Sequence, residues 1–132
     1  MLGELIGENT GKRLVRRVLA TTPPTAEVSF EETGKMLGAA TSGYGTYTSS
    51  VRPDGSIYGE GQGVFFTAEG EVATWKASGQ GKFGPGGAVS YRGMLFSQTT
   101  SKKLERLNAA PGVFEYEVDP EGKTRTKIWE WK

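Results

Sequence analysis

Ser56–Thr67 (SIYGEGQGVFFT), Glu71–Phe83 (EVATWKASGQGKF) and Ala88–Thr100 (AVSYRGMLFSQTT) decide the fold. Each run alternates side-chain character with period two and is rich in Val, Ile, Thr, Tyr, Phe and Trp. Turn chemistry separates them at Ala68-Glu69-Gly70 and Gly84-Pro85-Gly86-Gly87. That combination predicts three antiparallel strands in a meander.

Working outward, the same grammar continues in both directions. Ala26–Glu31 alternates with Val28 and Phe30 on one face and Glu27, Ser29 and Glu31 on the other, as a half-buried strand does. Glu32-Thr33-Gly34-Lys35 reads as the turn that ends it. Met36–Val51 is a glycine-interrupted strand pair or one bent strand, closed by the strong turn Arg52-Pro53-Asp54-Gly55. Upstream, Gly11–Ala20 fits a helical stripe as well as a strand and is taken as a strand. Thr21–Thr25, with two prolines, makes a rigid turn.

Downstream, Thr100–Asn108 is the one helical candidate, with Ser101 as N-cap and Leu104 and Leu107 on one side. Phe114, Tyr116 and Val118 then alternate with Glu115, Glu117 and Asp119, and Lys123–Lys132 is the last strand. Seven to nine strands without βαβ alternation make an all-β, antiparallel protein. The short connections favour a closed up-and-down β-barrel of about eight strands, a single domain over residues 1–132.

Composition removes several function classes. The chain of 132 residues has neither Cys nor His. Disulfides, a thiolate nucleophile, the usual triad base and the commonest metal ligands are therefore absent, and no metal or other cofactor is expected. Sixteen basic against fifteen acidic residues leave a net charge of +1, so neither nucleic acid nor an anionic membrane is expected as a partner. The opening MLGELIGENTGKR holds Glu4 and no long apolar run, which points to a cytoplasmic protein. Gly79-Gln80-Gly81-Lys82-Phe83-Gly84 has dinucleotide-fingerprint spacing, but a strand rather than a helix follows it. Lys12-Arg13-Leu14-Val15-Arg16-Arg17 is read as a solvated basic face opposite the acidic strand Glu27–Glu32.

Gly59, Gly61 and Gly63 strip one face of their strand of side chains, and Gly79 and Gly81 do the same on the next. Either something large lies there, a ligand or the ring of Trp75, Phe83 or Tyr58, or the glycines relieve crowding in a sharply bent barrel. Glu60 shares a face with Tyr58, Gln62, Val64 and Phe66, and Arg92 with Ala88, Ser90, Met94 and Phe96. If those faces point inward, Glu60 and Arg92 pair inside the barrel; otherwise both meet solvent or close a barrel end. The candidate ligand-binding residues are thus Tyr58, Glu60, Gln62, Trp75, Arg92 and Phe96. Trp129 and Trp131 share a face and are expected to plug the barrel or anchor a subunit contact.

The run RPDGSIYGEGQGVFFT, the TWKASGQGKF and GGAVSYRGMLF strands, the SKKLERLN segment and the GVFEYEVD…KIWEWK ending resemble a group of uncharacterised bacterial barrel proteins over nearly the whole chain. In architecture these are similar to calycin-type barrels, including the lipocalin-like, allene oxide cyclase and dirigent kinds. The resemblance implies a closed barrel with an apolar cavity and a homo-oligomer, and carries over no catalytic residue. Three functions stay open. The barrel binds a small apolar molecule, or it is a cofactor-free isomerase or cyclase using Glu60 or a tyrosine, or it is a structural or interaction protein with a filled core.

Overall fold

The computed structural model describes residues Met1–Lys132. Eight antiparallel strands follow one another around a closed barrel: β1 (Leu2–Thr21), β2 (Pro24–Met36), β3 (Ala39–Val51), β4 (Ile57–Thr67), β5 (Val72–Phe83), β6 (Val89–Thr99), β7 (Gly112–Val118) and β8 (Lys123–Trp131). Every strand pairs with its neighbours in sequence, and β1 pairs with β8 to close the ring. Closure leaves no exposed edge along the body of the sheet.

Two packed clusters fill the two ends of the lumen. At the end holding both termini, Ile6, Met36, Phe65, Ala73, Leu95 and Ile128 are covered by Leu104 and Leu107. At the other end Phe30, Ile57, Tyr91, Tyr116 and Val118 pack together. Trp75 and Phe114 touch both clusters and join them.

The segment between β6 and β7 forms a single 3-10 turn, Glu105–Asn108, in place of the expected helix. Ser101 does not cap it. Its hydroxyl donates instead to Glu71 Oε2 (2.6 Å) in the β4–β5 connection. Two leucines that need covering outweigh weak helical propensity in so short a piece. Leu104 is fully buried and Leu107 nearly so.

β2 does not turn at Glu32. It runs on to Met36, with Glu32 opposite Gly11 of β1 and Gly43 of β3, and the reversal comes at Leu37-Gly38. The basic cluster behaves as expected: Lys12 pairs with Glu31 (3.7 Å) and Arg17 with Glu27 (3.3 Å) across the hairpin. β8 pairs with β1 only as far as Lys12, so the β1–β2 hairpin beyond that point projects from the barrel as an arm. Leu14, Val15, Val18 and Leu19 are exposed on it.

Candidate functional site

On β4 the inward positions are Ile57, Gly59, Gly61, Gly63, Phe65 and Thr67; on β5, Ala73, Trp75, Ala77 and Gly79. The faces follow from contacts as well as burial. A Cβ on Gly63 would collide with the Trp75 indole, and one on Gly45 would lie 2.7 Å from Trp75 Cζ2. The Trp75 ring therefore lies flat over β4 and β3, with its centroid 6.2 Å from that of Phe30 on β2. Gly59 lies under Tyr91, and Gly79 and Gly93 lie under Phe114. The bare strip is a bed for aromatic rings from other strands.

This orientation corrects the inward reading of the β4 and β6 faces. Tyr58, Glu60 and Gln62 are turned to the outer surface with Arg92 and Phe96, and only Trp75 of the six candidates projects into the lumen. Glu60 borders the cavity between two glycines, but its carboxylate is exposed and accepts a hydrogen bond from Tyr58 Oη (3.3 Å). Arg92 pairs with Glu117 (3.4 Å) and Glu115 (3.7 Å), not with Glu60. Tyr58 carries the Arg52 guanidinium 4.8 Å from its ring centroid. Trp129 and Trp131 stay on the outside of β8 rather than plugging the barrel, and Trp131 is exposed.

Between the two clusters lies a cavity of about 100 Å³, lined mainly by apolar side chains, among them Phe30, Met36, Trp75, Ala77 and Leu95. Its chemistry comes from a residue taken from sequence as part of a turn. The Glu32 side chain enters the lumen in line with Val28, Phe30 and Met36. Its register neighbours on both sides, Gly11 and Gly43, contribute no side chain to shield it. Extending the Val28–Phe30 alternation by one step reaches Glu32, and that is the signal in the sequence that marks it.

Burial of Glu32 penalises the charged form and lifts its pKa from 4.5 to about 7, against a hydrogen bond with the Thr126 side chain that acts in the opposite direction. Glu32 Oε1 is buried with no hydrogen-bond partner. Thr124 Oγ1, which flanks Gly11 from β8 as Glu32 flanks it from β2, is likewise unpaired. Buried polar atoms normally find partners, so two orphans on either side of one glycine set this part of the lumen apart.

Tyrosines stand above the carboxyl. Tyr47 and Tyr116 share a hydrogen bond (3.3 Å), and Tyr91 shares one with Ser49 Oγ (2.5 Å). Burial raises all three phenols, Tyr91 to about 12, so they stay protonated at neutral pH. No three acidic side chains converge on one point to hold a metal ion.

No family model matches the chain, and no curated protein matches it. Among the solved structures that share its fold are two bacterial proteins. One is a protein of unknown function from Clostridium acetobutylicum ATCC 824, with a TM-score of 0.85 and 13% identity over 98% of this chain and 98% of that one. The other is a conserved protein of unknown function from Rhodopseudomonas palustris, with a TM-score of 0.81 and 13% identity over 98% of this chain and 97% of that one. At this identity the likeness is one of fold: a closed eight-stranded antiparallel barrel of uncharacterised bacterial type. No helix is long and apolar enough to cross a membrane.

Proposed function

We propose that the barrel is a vessel for one small, largely apolar molecule, held in mid-lumen against Phe30 and Trp75. The observation that carries this reading is the cavity itself, apolar in most of its lining yet holding a carboxyl oxygen with nothing to bind. Ligand sites are commonly concave, mainly apolar, and oriented by a few convergent polar groups. Kinship with calycin and allene oxide cyclase barrels belongs to this reading, supported by the closed meander. The isomerase alternative draws on Glu32 instead of Glu60, because a carboxyl titrating near neutrality suits proton transfer.

The test is native mass spectrometry with organic extraction of protein purified from its own host. Wild type is expected to carry a defined small molecule. The double variant Arg92→Leu/Glu60→Gln, altered only at exposed side chains, is expected to keep it. Ala77→Leu, which fills the cavity, is expected to lose it. Wild type that is empty in every preparation replaces the vessel by a filled, structural barrel.

The projecting arm supports a separate proposal, that a second copy of the chain seats there. Past Arg13 the side of β1 turned away from β2 has no strand beside it, and Val15 and Val18 are 62% and 73% exposed. An unpaired strand edge with apolar side chains is a template for pairing with another chain. Light scattering is expected to give a dimer that Val18→Lys converts to a monomer; a monomeric wild type at high concentration refutes the arrangement.

A further inference from the structure

We propose that the molecule the cavity takes is a small organic cation, an alkylammonium with an N–H that Glu32 accepts as its counter-ion. The assignment rests on the vessel reading and names the ligand class. Four features of the lumen point to it.

The first is the orphan acceptor. Glu32 Oε1 has no donor within the protein: its register partners on both neighbouring strands are glycines, and the Thr126 hydroxyl that reaches the carboxyl leaves this oxygen unmet. A ligand N–H is the group that completes it, and a charged donor returns the cost of burying a carboxylate better than a neutral one.

The second is charge. The titratable group coupled to Glu32 is Tyr116 of β7, which is hydrogen-bonded to Tyr47 of β3; both phenols are neutral, and Arg13 and Arg16 of β1 act on these phenols. Arg13 has its guanidinium beside Gly122 in the β7–β8 turn, at the rim of the lumen rather than on Glu32. Glu32 therefore has no ion-pair partner of its own in mid-lumen, and a ligand cation is the group that would supply one.

The third is the aromatic wall. Phe30 lies 5.8 Å from Tyr47, 6.2 Å from Trp75 and 5.5 Å from Tyr116, centroid to centroid, and all four line the cavity. Aromatic faces attract alkylammonium groups through the ring quadrupole, more strongly where water is excluded.

The fourth is size. An apolar cavity of about 150 Å³ accepts benzene, so by the same ratio about 100 Å³ takes a body of about four non-hydrogen atoms. Trimethylammonium has that size, and its single N–H meets the orphan carboxyl oxygen of Glu32.

The experiment titrates wild type and Glu32→Gln with trimethylammonium chloride and, separately, with tert-butanol, a neutral body of similar size. Binding is read by calorimetry and by the shift of the Trp75 indole N–H resonance. Trimethylammonium is expected to bind wild type saturably and to bind Glu32→Gln at least about tenfold more weakly. In wild type its affinity is expected to rise about tenfold between about pH 6 and pH 8, because the cation binds the ionised carboxyl and the empty site titrates near 7. Glu32→Gln is expected to show no such rise.

Equal binding by the two proteins, or an affinity independent of pH, overturns the assignment. Tert-butanol bound in preference to trimethylammonium also overturns it, and leaves the vessel standing with a neutral ligand. If neither probe binds, the cation assignment falls alone, because the vessel is judged by what host-purified protein carries.

Discussion

Trp75→Ala is expected to cost about 3–5 kcal/mol, the range for truncating a large core aromatic, although its ring is only partly buried. The indole joins the two clusters and covers the glycine bed of β3 and β4, so its loss opens the lumen from one cluster to the other. Gly63→Ala tests the same contact from the opposite side. Its Cβ would fall inside the indole, and overpacking of this kind costs about 1–3 kcal/mol. With Trp75 already reduced to alanine, the same substitution is expected to be neutral or stabilising, since a strand glycine is otherwise a liability of about 0.5–1 kcal/mol. Guanidinium unfolding of both single variants and the double variant measures the coupling. Equal costs for Gly63→Ala in the two backgrounds would mean that the ring does not rest on this glycine.

That arrangement explains why the strands are legible in the sequence and the faces of two of them are not. Period-two alternation identifies β4, β5, β6 and β7, and on β2 and β7 it also identifies the inner face: Val28 with Phe30, and Phe114 with Tyr116 and Val118. On β4 the same reasoning points the wrong way. Tyr58, Val64 and Phe66 outweigh Gly59, Gly61 and Gly63, so the apolar count selects the outer face. A face's own hydrophobicity records what the strand contributes to the core, not what neighbouring strands lay over it. The glycines are the better guide, because only a bare strip admits rings from β5 and β6.

Glu32 is hidden for a different reason. Glu-Glu-Thr-Gly-Lys carries the composition of a surface turn, and a carboxylate is seldom placed inside a barrel. Gly34 supplies much of that turn signal. In the folded chain it is instead an inward position of a continuing strand, where a Cβ would strike Asn9 and the β1 backbone. Close approach between strands, not a reversal, is what requires the glycine there. The composition is turn-like, and its cause is packing.

Glu32 is also expected to make the barrel less stable as pH rises, against the usual trend for carboxylates. Its pKa is 4.5 in the unfolded chain and about 7 in the folded one. Below 4.5 both states hold the proton and the group is silent. Between the two values the folded state binds more proton than the unfolded state, so the free energy of unfolding falls with each increment of pH. Above about 7 the folded protein carries a buried carboxylate and the loss is complete. It amounts to about 3 kcal/mol, since each tenfold change in proton affinity is worth about 1.36 kcal/mol.

Asp54 and Glu130, whose carboxyls Ser56 and Arg106 respectively hold below the usual range, work in the opposite direction, but both lie at the surface. Comparing wild type with Glu32→Gln at each pH cancels them. Urea unfolding is expected to show Glu32→Gln gaining on wild type from about pH 5 to pH 8, with a plateau beyond. Parallel curves would require the folded carboxyl to be as well solvated as the unfolded one, and the orphan oxygen would then be in contact with bulk water rather than enclosed in the lumen.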